Sequence, residues 1–144
     1  EPGRWGVKAA WWAEWGIAFL MMVMVLAMNS AARTAPYTGV VAGALVAVYI
    51  AVEAPVSGMS LNPARSIASA LAGRRFNAMW VYLTAPPLGM VAAAIVFVGF
   101  HGVKRVYCAK IEHGDGACPF VCGIDRMREE KVSPAASTGI EAAP

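Results

Sequence analysis

Three long apolar runs, separated by short polar gaps, set the organisation of the chain. They cover about 11–29 (WWAEWGIAFLMMVMVLAMN), 37–54 and 78–100. A run of roughly 19 residues rises nearly 30 Å as a helix, about the thickness of a bilayer's hydrocarbon core. The pattern therefore predicts three transmembrane helices. Trp11, Trp12 and Trp15 cluster at the start of the first run and Trp5 lies just ahead of it, where amphipathic rings anchor at the headgroups. The gap 30–36 is short and polar and carries Arg33, while Pro55 and Gly58 are expected to end the second span. Met21, Met22, Met24 and Met28 read as lipid-facing or packing residues, and Gly39-x-x-x-Gly43 as a close helix contact.

A shorter pattern lies between the second and third spans. Asparagine is a strong helix N-cap, and proline suits the first helical position because its missing N–H had no partner there. Asn62-Pro63 thus predicts a helix over 63–72, closed by Gly73-Arg74-Arg75. Ten residues reach about 15 Å, half a bilayer at most. Upstream, Gly58 to Leu61 are expected to run extended, with the carbonyls of Gly58, Ser60 and Leu61 lining one wall. A helix that starts at membrane depth is tolerated only where it is buried in protein or lines a watery cavity. The reading is a pore lining. Asn62 can donate amide hydrogens to a passing oxygen, Ala64 is small enough to admit a neighbouring element, and Arg65 brings a permanent charge with five donors. Acceptors facing an asparagine and a fixed cation suit small neutral molecules, and the cation with the helix dipole repels protons and other cations.

Composition supports a membrane protein. Of 144 residues, 58% are hydrophobic and 15% charged, against about a quarter charged in soluble domains. One domain is the natural organisation. The net charge of +3 comes without a basic, aromatic-interleaved stretch, so no nucleic-acid partner is expected. His101 and His113 have no nucleophile and acid beside them, so an enzyme is not expected. Arg4, Lys8, Arg74 and Arg75 balance Arg33, Lys104 and Arg105 across the membrane, so loop charge leaves orientation undecided. The chain opens at Glu1 rather than Met, which suggests processing, trimming or an incomplete reading frame.

Asn62-Pro63-Ala64-Arg65, with Pro55 seven residues and Gly58 four residues before Asn62, resembles the second signature loop of the aquaporin (major intrinsic protein) family. Glu14 resembles the family's buried glutamate that accepts hydrogen bonds from the re-entrant loop, its other reading being a headgroup-level residue. Gly39 and Gly43 resemble small positions of the fifth helix, and Trp80-Val81-Tyr82 through Pro86 the start of the sixth. The resemblance covers about 8–102 and implies an all-α membrane protein: half of a six-helix channel, three transmembrane helices plus one re-entrant half-helix. It implies a multi-pass protein of the plasma (inner) membrane, with an extracellular lead over 1–10, a channel half over 11–103, and a cytoplasmic tail. It also implies a homotetramer passing water and small neutral solutes such as glycerol, without a cofactor. The family's first three spans and first signature loop are not in this chain, so a longer polypeptide or a second chain is expected to supply them. Otherwise Asn62, Arg65 and Glu14 would meet lipid unpartnered, at several kcal/mol or more for an ionised group.

The resemblance places the selectivity constriction at Arg65, Met59 and Ile50. Strict water channels commonly carry histidine at the Ile50 position, whereas Ser66, standing where glycerol facilitators carry aspartate, together with Ala70 and Tyr82, looks water-type. Leu83 replaces a common tryptophan. Water is favoured and glycerol stays open. Glu53 is read as a headgroup-level helix-end residue, with the outer mouth as the alternative. After Gly102 the chain turns polar. Its 104–131 part holds Cys108-x4-His113-x4-Cys118-x3-Cys122, a Cys3His set that suits zinc if the thiols stay reduced. Free thiols, or lipidation of Cys108 beside the membrane, are the plainer readings. Residues 132–144, rich in Ala, Ser and Pro, are expected to be disordered. The competing function is a membrane-tethered metal-binding or redox module acting through this tail.

Overall fold

The computed structural model describes residues 2–31 and 33–103, with the isolated positions 106, 108 and 123. Four helices follow one another: α1 (Gly6–Asn29), α2 (Thr38–Ser57) entered through a 3-10 turn at Ala35–Tyr37, α3 (Pro63–Gly73) and α4 (Met79–His101). No strand occurs among the described residues. Three segments, Gly6–Asn29, Ala35–Ser57 and Met79–His101, are long and apolar enough to cross a membrane, so the all-α membrane architecture expected from the sequence holds.

Helix α1 packs on both α4 and α2, and α3 leans on α4. Lipid tails are as apolar as leucine, so close packing and internal hydrogen bonds, rather than burial from water, hold such helices together. Both devices are present. On α1, Glu14, Ile17, Ala18, Met21 and Val25 recur at helical spacing and are buried, and Ile17, Met21 and Val25 interlock with Ala42, Tyr49 and Met59. Small residues let α4 come close: Ala85 and Ala93 are fully buried. Trp11 Nε1 donates to Thr84 Oγ1 at 3.0 Å. At the other end, buried Thr38 Oγ1 donates to Asn29 Oδ1 at 3.0 Å and pins the start of α2 to the end of α1.

The tightest approach between two of the long helices lies at Gly89, where an added Cβ would stand 2.4 Å from the Trp15 carbonyl oxygen. Gly89→Ala should therefore force α1 and α4 apart and lower stability by about 1–3 kcal/mol. Gly99→Ala, whose Cβ would meet nothing within 4 Å, should be neutral or slightly stabilising, as alanine is the better helix former. Thermal midpoints in detergent compare the two.

Several sequence expectations change. Helix α1 begins at Gly6, so half of the lead over 1–10 is helical, and Gly3 N–H donates to the Val56 carbonyl at 2.9 Å. Pro55 lies inside the last turn of α2, which ends at Gly58 in a left-handed conformation. Gly39 and Gly43 are exposed, and a Cβ on Gly43 would meet nothing within 4 Å, so the close contact belongs to Gly89 instead. The stretch Gly58 to Leu61 is not extended: φ is +88° at Gly58, +48° at Met59 and +57° at Leu61. Of the tail, His113, Cys118, Cys122 and 132–144 lie outside the described residues, and Cys108 carries a free, half-buried thiol.

Candidate functional site

Helix α3 starts as its sequence dictates. Asn62 is extended (φ −140°, ψ 117°) and its Oδ1 accepts the Ala64 N–H at 2.9 Å, with Pro63 at the first helical position. The cap leaves the Asn62 Nδ2 hydrogens free to point outward. The far end closes on Arg74 in the left-handed region, with Arg75 N–H returning to the Ala70 carbonyl at 3.0 Å. Eleven residues span about 16 Å.

The loop that delivers the chain to Asn62 needs an external hold, because each non-glycine residue at positive φ costs about 1–3 kcal/mol. Glu14 supplies it. This carboxylate is fully buried on α1. Its Oε1 accepts the Ser60 N–H at 2.6 Å and its Oε2 the Leu61 N–H at 2.9 Å. Ser57 Oγ lies 2.7 Å from Glu14 Oε1 and accepts the Met59 N–H at 3.0 Å. From α4, Tyr82 donates its hydroxyl to the Ser57 carbonyl. Ser60 Oγ donates to the Asn62 carbonyl at 3.0 Å and touches Ser66 Oγ on α3. Three consecutive amides, 59 to 61, thus turn inward onto α1 and α2. The carbonyls of Gly58, Ser60 and Leu61 take no part in these bonds.

Glu53 adds what the sequence expectation left out. It is 6% exposed and faces α1, with Oε1 bonded to Ser57 Oγ and Oε2 without a partner among the described residues, so it is enclosed by protein whatever its depth. Ser57 and Glu53 are the contributors that motif reading missed. The signal was there: Tyr49, Glu53 and Ser57 recur every fourth residue on an otherwise apolar span, one polar stripe on one helix face.

The remaining candidates fall into two groups. A cavity of about 350 Å³ brings Met59 and Arg65 together with Ser57, Ser60, Ser66 and Tyr82 along its lining. Ile50 and Asn62 are not in that lining; Ile50 is 48% exposed on α2 and Asn62 is exposed at the helix tip. Met59 is 2% exposed and packs beside Ile17, Met21 and Tyr49. Arg65 is exposed. No group of three or more His, Cys, Asp or Glu side chains able to hold a metal occurs among the described residues; of the four candidate zinc ligands only Cys108 is among them.

Residues 4–97 match the family model described as Major intrinsic protein. The chain is 38% identical over 78 residues to "Aquaporin NIP2-1" of Arabidopsis thaliana, covering 54% of this chain and 27% of that protein. It is 36% identical over 90 residues to "Aquaporin NIP6-1" of the same plant, covering 62% and 30%. With "Aquaporin NIP1-4" of Oryza sativa subsp. japonica the identity is 37% over 82 residues, covering 56% and 30%. The chain thus spans less than a third of the length of these relatives. No solved structure matches it.

Proposed function

Because this chain belongs to the major intrinsic protein family, and so is an integral membrane protein rather than an enzyme, we propose that it forms half of a passive channel for water and small neutral solutes. The observation that carries this reading is the turning of the loop. With amides 59 to 61 committed to Glu14 and Ser57, the carbonyls of Gly58, Ser60 and Leu61 are left as a short series of acceptors. The Asn62 amide and the Arg65 guanidinium stand beyond them as donors at the positive end of α3. A water or a polyol hydroxyl both donates and accepts, so such a wall replaces its hydrogen bonds as it moves.

On this reading Asn62, Pro63 and Ala64 form the helix tip and Asn62 orients the solute. Arg65, Met59 and Ile50 shape the constriction, and Glu14 braces the loop. The opposing half comes from the same polypeptide or a second chain, four protomers assemble in a plasma membrane, and the tail is cytoplasmic. Passage needs no cofactor. Water is the principal solute, with glycerol slower.

Stopped-flow swelling of vesicles bearing the complete polypeptide tests this. Water permeability should exceed that of empty vesicles and outpace glycerol. Asn62→Asp, which swaps the free amide donor for a charged acceptor but keeps the N-cap, should lower it at least tenfold. Swelling no faster than empty vesicles, with the protein inserted and folded, would contradict the reading.

A further inference from the structure

Behind the loop lies a second carboxyl group that channel function does not use. Ser57 Oγ lies within hydrogen-bond reach of two buried carboxyls, Glu14 on α1 and Glu53 one turn earlier on α2. It also accepts the Met59 N–H. A serine hydroxyl carries one hydrogen and two acceptor lone pairs. The Met59 amide occupies one lone pair, and the single hydrogen serves one carboxyl. The contact with the other carboxyl is a hydrogen bond only if that carboxyl brings its own proton. Two ionised carboxylates would compete for one hydrogen in a low-dielectric setting where like charges repel strongly.

The surroundings decide which group holds the proton. Glu14 receives two backbone amides, one on each oxygen, at 2.6 and 2.9 Å, and donors of that kind favour the charged form. Glu53 receives none, and its Oε2 is buried without a partner among the described residues. A neutral acid tolerates that position far better than a carboxylate. Other titratable groups nearby are Tyr49 on α2, whose buried hydroxyl lacks a partner among the described residues, and Tyr82 on α4, which donates to the Ser57 carbonyl. The bonds found at the two carboxyls among the described residues come from Ser57, Ser60 and Leu61.

We propose that Glu53 is an intramembrane proton-binding site: as the neutral acid it donates to Ser57 Oγ, which donates to the Glu14 carboxylate that holds the loop. Removing the proton leaves the fold with two charges and one bridging hydrogen, so the loop is tied by a proton as well as by protein. The proposal needs only the packing of α1, α2 and the loop, not the identity of the solute.

Infrared spectroscopy of the reconstituted full polypeptide at neutral pH tests it. The expected result is a carboxylic-acid carbonyl stretch that shifts in D2O and disappears in Glu53→Gln, whose amide keeps a donor for Ser57. The thermal midpoint of the parent protein should also fall as pH rises from the ordinary carboxylate range, where the unfolded chain gives up this proton, and level off once the band is lost, while that of Glu53→Gln lacks this fall. Absence of a protonated-carboxyl band at neutral pH, or a band that survives Glu53→Gln, overturns the proposal. Should Glu53→Gln fail to fold, the parent's band, and a thermal midpoint that falls while the band persists and levels where it is lost, decide alone. A channel that passes nothing would leave all these readouts intact, so this inference and the channel reading fail separately.

Discussion

Glu14→Ala should collapse the loop and with it any permeability. The carboxylate accepts Ser60 N–H, Leu61 N–H and the Ser57 hydroxyl in a fully buried position. Hydrogen bonds to a charged group contribute about 1.5–3 kcal/mol each, so three together amount to roughly 5 kcal/mol or more. That equals the whole stability of a weakly stable domain. Alanine also leaves the Ser60 and Leu61 amides without an acceptor, while Met59 and Leu61 still carry their positive-φ cost. Glu14→Gln should fall between: its oxygen still accepts one amide, but its NH2 group faces a backbone N–H, donor against donor. Thermal midpoints in detergent and protease resistance of the loop read the order parent, Gln, Ala. A Glu14→Ala protein as stable as the parent would mean that the loop is held by something else.

Arg65→Ala carries the second large effect, and it falls on selectivity rather than stability. Arg65 is exposed in the first turn of α3. Surface changes of this kind usually stay within about 0.5 kcal/mol, so the thermal midpoint should hardly move. A fixed cation about 4 Å from a passing one opposes it by about 4 kcal/mol at an effective dielectric of 20. In the proposed channel, losing it should raise proton or cation leak by up to about three orders of magnitude, read as dissipation of a pH gradient across vesicles. Water flux should stay or rise. A variant that remains as tight to protons as the parent would remove Arg65 from the filter.

The parts of this fold that follow chain-local chemistry could be read from the sequence. Three apolar runs of bilayer length gave α1, α2 and α4, and Asn62-Pro63 marked the first turn of α3, because capping needs only neighbouring residues. The start of α1 at Gly6 was harder, since Trp5 offers no side-chain cap to mark it. The loop at 58–61 was misread because positive φ at Met59 and Leu61 runs against residue preference. Beyond the local bond of Met59 N–H to Ser57, the loop is held by an acceptor 46 and 47 residues away from Ser60 and Leu61, and no local window contains both. The enclosure of Glu53 was hidden for a related reason: only the approach of α1, far away in the chain, buries it. Gly39 and Gly43 face no helix of this chain, because small residues permit a close contact without requiring one; the close contact seen within the chain is that of Gly89 on α4 with α1.

The central claim is that α3 stops inside the membrane with its amino-terminal tip on a wet passage. A spin label at position 62, with the three native cysteines replaced by serine, measures this directly in the reconstituted protein. The label should sit near the bilayer midplane, as judged against labels on the exposed span residues Val40 and Ile95 and against depth-calibrated lipid labels, and yet be relaxed by a small water-soluble paramagnet. A label at 62 in bulk solvent beyond the headgroups, or one at depth reached by oxygen but not by the aqueous reagent, would contradict the account.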